Sequence, residues 1–415
     1  MHRDELLALL TPEAMRLLDG VGEVDDRSDV LGLVSRMRGD GHDPRTVAAV
    51  LTQAKLRRRA TAKFGRFADR MLFTEDGLQQ ATRLSVAAHH AARFRAAGCE
   101  RVADLGCGIG ADAMALASLG FQLTAVDADE VTAAVATHNL AMFDNVTVRH
   151  ARAESIDLSA FDGLWFDPAR REHRDAPAQG NEAVGSGATG GATKPGRGAR
   201  RLGDPADWSP ALDLVFGTAA THRLGVKLAP GIDHDLLPAG VETQWVSVGG
   251  ELVEATVWAG GLERDGVGRS ALVLGERAAE RTAAGPAEDE PVGELGEFVF
   301  EPDPAIIRAR LIGDVARELG GRMLARDIAW ITGDEAVGTP FATAFRVREV
   351  LPLQTAKLKR ELRARGIGRL EIKKRGVDLD PAALRAQLSL KGSESATLIC
   401  TRVGGARKAL LADRV

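Results

Sequence analysis

The chain has no tyrosine, and phenylalanine and tryptophan bring its aromatic share to only 4%. Recognition of a bare nucleic-acid strand by stacking on a row of rings is therefore poorly supported. Cysteine is nearly as scarce. Cys99, Cys107 and Cys400 stand alone, with no C-x-x-C spacing, which argues against a disulfide framework or structural zinc and for a reducing compartment. No metal is expected. No apolar run reaches the ~18 residues that a membrane span needs. The opening MHRDELLALLTPEAMRLLDG carries acids at helical spacing and lacks the cleavage pattern of a secretory leader. Together these absences point to a soluble cytoplasmic protein.

What is present is a chain of 415 residues, 45% hydrophobic and 27% charged, long enough for two or three domains. Its formal net charge of -4 is unevenly spread: from Ala305 onward 22 Lys and Arg face 12 Asp and Glu, so that part carries +10 and the rest -14. A basic C-terminal part on an acidic body suits either a polyanion-facing module or an ordinary solvated surface.

Apolar residues recur at three- and four-residue spacing through residues 1–74, predicting an N-terminal helical region in which Ser28 or Asp29 caps one helix and Pro44 opens the next. TEDG reads as a turn, and LQQATRLSVAAHHAARFRAAG as a helix closed by Gly98. From Arg101 strands and helices alternate, which predicts a mostly parallel, Rossmann-like α/β sheet over residues 75–275. A Gly/Ala-rich insertion at 172–206 interrupts it, and 276–294 reads as a linker. Residues 295–415 form a smaller α/β unit, in which Pro304 opens one long helix and QTAKLKRELRARGIG is a basic helix.

DLGCGIGAD (104–112) joins a strand to a helix. Gly106, Gly108 and Gly110 allow a tight turn and close backbone approach to a ligand, and the helix beyond offers free N–H groups. Gly106-x-Gly108-x-x-Ala111 also satisfies a dinucleotide fingerprint, which keeps an NAD-dependent oxidoreductase in play. Asp127 ends the next strand about 20 residues on, where a carboxylate accepts both ribose hydroxyls of a bound nucleoside. Asp104 points away from a dinucleotide: a carboxylate beneath the turn suits a cationic amino-acid tail better than a pyrophosphate.

Asp104-Leu-Gly106-Cys107-Gly108-Ile-Gly110, then Val126-Asp127-Ala128, then Phe166-Asp167-Pro168 resemble, in order, the motifs of class I S-adenosylmethionine-dependent methyltransferases over about residues 75–260. The resemblance implies that the glycine turn, Cys107 included, lines the methionine part of the cofactor and that Asp127 and Ala128 meet the ribose. It also implies an acid after the third strand, facing the adenine amine. Arg152 stands where Asp is usual, and Glu154 is the nearest substitute. Gln80 and Thr82, ahead of the first motif, are candidates to cover the cofactor, with an N-cap role for Thr82 as the alternative.

WFDPARR (165–171) then falls at the carboxyl end of the fourth strand, the rim where such sheets bind ligands. The resemblance to DPPY and NPPY tips implies that Asp167 and the Pro168 carbonyl hold an amine that receives the methyl group, orienting its lone pair. Ala169 and Arg170 depart from that pattern. Arg170 and Arg171 suit an anionic substrate group, or a salt bridge to Asp167. DPAR is also similar to the tip of uracil C5 methyltransferases, but only Cys400 follows as a nucleophile, so covalent pyrimidine chemistry is not expected. Lys227 and Pro230 end the next strand and are further pocket candidates.

The last part resembles a THUMP-like domain, which implies RNA delivery to the catalytic domain. Lys357, Lys359, Arg360, Arg363 and Arg365 on one helix, with Lys373, Lys374 and Arg375 at a strand tip, are the candidate phosphate contacts. Helix-surface pairing, for example Lys357 with Glu361, is the alternative. The reading is an S-adenosylmethionine-dependent methyltransferase acting on a base nitrogen of structured RNA. A small-molecule methyltransferase, a non-catalytic RNA-binding protein and an NAD enzyme are the alternatives.

Overall fold

A computed structural model of the chain describes residues 1–21, 30–170 and 208–415. Ser28, Asp29, Arg171 and the 172–206 insertion lie outside the described residues. The chain divides into two compact units: Met1–Lys227 with Asp233–Ala239 and Ala259–Leu262, and Leu228–Ile232 with Gly240–Trp258 and Glu263–Val415.

The first unit opens with helices α1 (Arg3–Leu9), α2 (Pro12–Val21), α3 (Val30–Gly39) and α4 (Pro44–Phe64). Asp43 caps α4, its carboxylate accepting from the amides of Arg45 and Thr46, and Pro44 takes the first helical position, where no N–H is needed. A 3-10 turn (Gly65–Arg70) leads to α5 (Glu75–Gln80) and α6 (Leu84–Ala96). TEDG, expected as a turn, starts α5 instead. Thr74 accepts from the Gly77 amide as its N-cap, and three non-helical residues separate α5 from α6.

Five parallel strands follow: β1 (Arg101–Leu105), β2 (Gln122–Asp127), β3 (Val146–His150), β4 (Gly163–Phe166) and β7 (Arg223–Leu228). They lie in the order β7-β4-β1-β2-β3, with α7 (Ala111–Ser118) and α8 (Glu130–Leu140) as crossovers. β1 and β4 are buried almost throughout, as strands covered on both faces must be. The two-residue strands β5 (Ala169–Arg170) and β6 (Trp208–Ser209) pair antiparallel and precede α9 (Leu212–Gly217).

In the second unit, β8 (Glu242–Val248) and β9 (Glu251–Ala259) form the expected hairpin. β10 (Arg269–Leu274) adds parallel to β8, and β11 (Ala278–Ala283) antiparallel to β10. Residues 276–294, read from composition as a linker, thus carry a full strand with an alternating burial pattern. A seven-stranded sheet follows, built from β12 (Phe298–Pro302), β13 (Arg322–Ala325), β14 (Ile328–Gly333), β15 (Ala342–Pro352), β16 (Ile367–Lys374), β17 (Glu394–Val403) and β18 (Ala406–Arg414). The single long helix expected after Pro304 is two, α10 (Pro304–Ala309) and α11 (Ile312–Glu318), because Arg310 turns left-handed at φ 58°. α12 (Thr355–Ala364) and α13 (Pro381–Leu388) bury Leu358, Leu362, Leu384 and Leu388 in one cluster with Leu398 and Leu411 of the sheet. Among the described residues no helix is long and apolar enough to cross a membrane.

Candidate active site

The carboxyl ends of β1, β2, β4 and β7 converge in the first unit. After β1 the chain turns through Gly106, Gly108 and Gly110 at φ 103°, 55° and 92°, a left-handed run that side-chain-bearing residues rarely adopt. Gly106 has a second reason to be glycine. A Cβ there would lie 2.7 Å from the Asp167 carbonyl oxygen, so the turn and the β4 tip touch. The amides of Gly106 and Cys107 both donate to the Val126 carbonyl at 2.9 Å, fastening the turn to β2.

Asp127 reinforces that join. One oxygen accepts from the Gly108 amide at 3.0 Å and the other from the Asp129 amide at 2.9 Å. The carboxylate is fixed in orientation, and each oxygen keeps a lone pair for a ribose hydroxyl. Burial raises its pKa despite those two amide bonds. Asn139 of α8 braces the turn from behind: it donates to the carbonyls of Ile109 and Leu72 and accepts from the Leu72 amide.

Asp104 lies beneath the turn and is 1% exposed. Neither of its carboxylate oxygens has a hydrogen-bond partner among the described residues. Burial, then the charges of Asp112 and Asp167, push its pKa well above the usual carboxylate range, while Lys227 pulls the other way. Asp112, in the first turn of α7, is ionised by contrast. Its burial is outweighed by His90, whose Nδ1 lies 2.8 Å away, by Lys227, and by the Thr82 hydroxyl, which donates at 2.6 Å. The His90 ring in turn lies against Trp165, with centroids 4.3 Å apart.

At the β4 tip, Asp167 accepts from Lys227 Nζ at 2.7 Å, and the same ammonium donates to the Gln80 carbonyl at 3.1 Å. Lys63 of α4 donates to the neighbouring carbonyls of Leu78, Gln79 and Ala81 at 2.7–2.9 Å. Two lysines therefore bind four successive carbonyls at the end of α5, a helix terminus with acceptors to fill. Pro168 is buried behind Asp167.

Asp104, Gly106, Cys107, Gly108, Gly110, Asp127, Asp167, Pro168 and Lys227 are thus brought to one end of the sheet. Thr82 is there too, but its hydroxyl holds Asp112. Gln80 contributes its backbone carbonyl, and its side chain is exposed. Glu154 is exposed and pairs with Arg152 at 3.2 Å, and Ala128 is exposed beyond β2. Arg170 is described through its backbone, paired with Trp208. In the second unit, Lys373 binds Glu301 at 2.6 Å and Arg375 donates to the Ala329 carbonyl at 2.7 Å over the Trp330 ring, leaving Lys374 exposed. Glu361 pairs with Arg360 and Arg365 rather than with Lys357. The Pro230 carbonyl accepts from Arg308. Sequence reasoning passed over Asp112, His90, Asn139 and Lys63. Of these only Asp112 carried a signal, as an acid in the first turn of the helix that the glycines open.

The methyltransferase domain family matches residues 102–179, the THUMP domain-like family residues 342–414, and a domain of unknown function (DUF8688) residues 2–60. A Mycobacterium tuberculosis protein, recorded for strains CDC 1551 / Oshkosh and ATCC 25618 / H37Rv as an uncharacterized S-adenosylmethionine-dependent methyltransferase, is 32% identical over 358 residues. That match covers 84% of this chain and 91% of its own. The chain belongs to the S-adenosylmethionine-dependent methyltransferases. The solved "putative methyltransferase" of Porphyromonas gingivalis W83 shares the fold at TM-score 0.70 and 21% identity, over 100% of this chain and 99% of that one.

The residues present fit the cofactor of this family. A buried, unpartnered carboxylate beneath a left-handed glycine turn is a receptor for a cationic group, and Asp127 is preorganised for a diol. The family match sets the dinucleotide alternative aside. S-Adenosylmethionine supplies a sulfonium-activated methyl group. Covalent chemistry through cysteine is disfavoured, because burial raises the Cys107 thiol well above its usual range and pushes Cys400 to about 11.

Proposed function

We propose that this methyltransferase transfers its methyl group to a base nitrogen of a structured RNA, in the cytoplasm, where its three buried cysteines stay thiols. The observation that carries the reading is the contact between Gly106 and the Asp167 carbonyl. The backbone of Asp167, at the acceptor rim, adjoins the donor turn, and its carboxylate is held by Lys227 at 2.7 Å. A carboxylate and a carbonyl so placed accept the two N–H groups of an exocyclic amine and leave its lone pair facing the donor, a proximity effect. The THUMP-like match over residues 342–414 supports RNA as the carrier of that amine. Glu154 is proposed at the adenine side, Gln80 over the cofactor, and Arg170, Arg171 and Lys374 at the substrate's phosphates.

A small-molecule acceptor is the second reading. It is favoured by the ion pairs that engage Lys373, Arg360 and Arg365 within their own unit. Mass spectrometry of nucleosides from a strain lacking the gene separates the two. One methylated base missing from RNA, and restored by the purified enzyme with S-adenosylmethionine, is the expected result. An unchanged nucleoside profile overturns the RNA reading.

A further inference from the structure

The segment KLRRRATAKFGRFADR (55–70) holds seven Lys and Arg against one acid, Asp69. Two of the seven are structural. Arg57 is buried, binding Asp19 at 3.1 Å and the Met71 carbonyl, and Lys63 caps α5. The other five remain at the surface: Lys55 half-exposed, and Arg58, Arg59, Arg66 and Arg70 exposed. α4 buries its opposite face through Val47, Val50, Leu51, Ala54, Ala60 and Phe64, so Lys55, Arg58 and Arg59 share its outward side, and Arg66 and Arg70 follow on the 3-10 turn. Thr61 and Ala62 between them are exposed and small, which leaves the row unobstructed. At its end stands Phe67, 39% exposed, with the Arg66 guanidinium 5.8 Å from its ring centre.

The row is wired to the site. Arg59 pairs with Glu75 at the start of α5. Lys63 binds the carbonyls at the end of α5, and Lys227 joins the Gln80 carbonyl there to Asp167. One six-residue helix thus separates the cations from the acceptor rim. Four residues of α-helix advance about 6 Å, the scale of one phosphate step along a nucleic-acid strand. Lys55 and Arg59, and again Arg66 and Arg70, stand four residues apart, and exposed cations in such a row, ending at one open aromatic face, are the chemistry of a backbone-tracking groove with a stacking platform.

We propose that the α4 face and the 3-10 turn after it, through Lys55, Arg58, Arg59, Arg66, Phe67 and Arg70, form a track for a single-stranded RNA segment leading to Asp167. This rests on the reading of RNA as substrate and assigns the N-terminal helices a binding role. The test is fluorescence polarisation of the full-length protein with a labelled oligouridylate and with total transfer RNA, each over a salt series. Arg58→Glu/Arg66→Glu/Phe67→Ala is compared with Arg16→Glu/Arg38→Glu, a matched charge reversal at exposed residues of α2 and α3. The track variant is expected to lose at least about tenfold in affinity for the oligouridylate, with its log–log salt slope shallower by about 1.4 for two lost phosphate contacts. The control should stay near wild type. S-Adenosylhomocysteine titration should be unchanged in both, which shows that they fold. Equal loss in both variants, or none in the track variant, overturns the track. Wild-type protein that binds neither RNA overturns the track, whereas RNA bound normally without being methylated strikes only the proposed reaction.

Discussion

If the orphaned carboxylate of Asp104 receives the cofactor's cationic group, as its place beneath the turn leads us to propose, cofactor binding is proton-linked, and the sign follows from its surroundings. In the free protein burial and the neighbouring acids hold Asp104 well above the usual carboxylate range. With a cationic ligand beside it the ionised form is favoured, so binding expels a proton. Below the free-state pKa, affinity should rise tenfold per pH unit, up to one proton per cofactor, and flatten above it. The charge-assisted contact itself is worth about 1.5–3 kcal/mol, or roughly 10- to 150-fold in Kd. Asp104→Asn keeps the shape and removes the charge, so it should lose that factor at high pH and show no pH dependence. Isothermal titration with S-adenosylmethionine between about pH 5 and pH 9, in buffers of different ionisation enthalpy, reads affinity and proton release together. Two variants check the cause. Lys227→Met removes the cation that holds the Asp104 pKa down and should move the rise to higher pH, and Asp112→Asn removes the foremost neighbouring negative charge and should move it lower. A flat wild-type profile with no proton released refutes the argument.

Asp127→Ala orphans the Gly108 and Asp129 amides as well as the diol site, and should weaken cofactor binding by about 1–3 kcal/mol in the same titration. Asp167→Ala should leave cofactor affinity within a few-fold and abolish methyl transfer; full turnover would remove that acid from the acceptor site. Gly106→Ala meets a carbonyl oxygen at 2.7 Å in a left-handed backbone, and should lose cofactor binding while circular dichroism stays folded. Asn139→Ala leaves the Leu72 amide and two carbonyls without their partner and should lower stability by about 2–4 kcal/mol, read from urea midpoints.

What could be read in advance, and what could not, divides along the range of the forces involved. The glycine turn, Asp127 and the β4 tip were legible because backbone geometry and strand ends are local, and a few residues in order suffice to specify them. The break of the predicted helix at Arg310 was not, because αL at a non-glycine residue is uncommon and has no composition signal. β11 was missed for a related reason. Its AAERTA has no large apolar residue, and it becomes a strand only because β10 offers an edge for it to pair with. The polar braces were the least legible. His90 and Asp112 are 22 residues apart, Asn139 and Leu72 are 67 apart, and Lys227 and Gln80 are 147 apart. Each is an obligation of burial, since a polar group removed from water must find a partner wherever the fold brings one. Asp104 departs from that obligation. Both oxygens of its buried carboxylate lack a partner among the described residues, and on the proposed reading the partner comes from outside the chain.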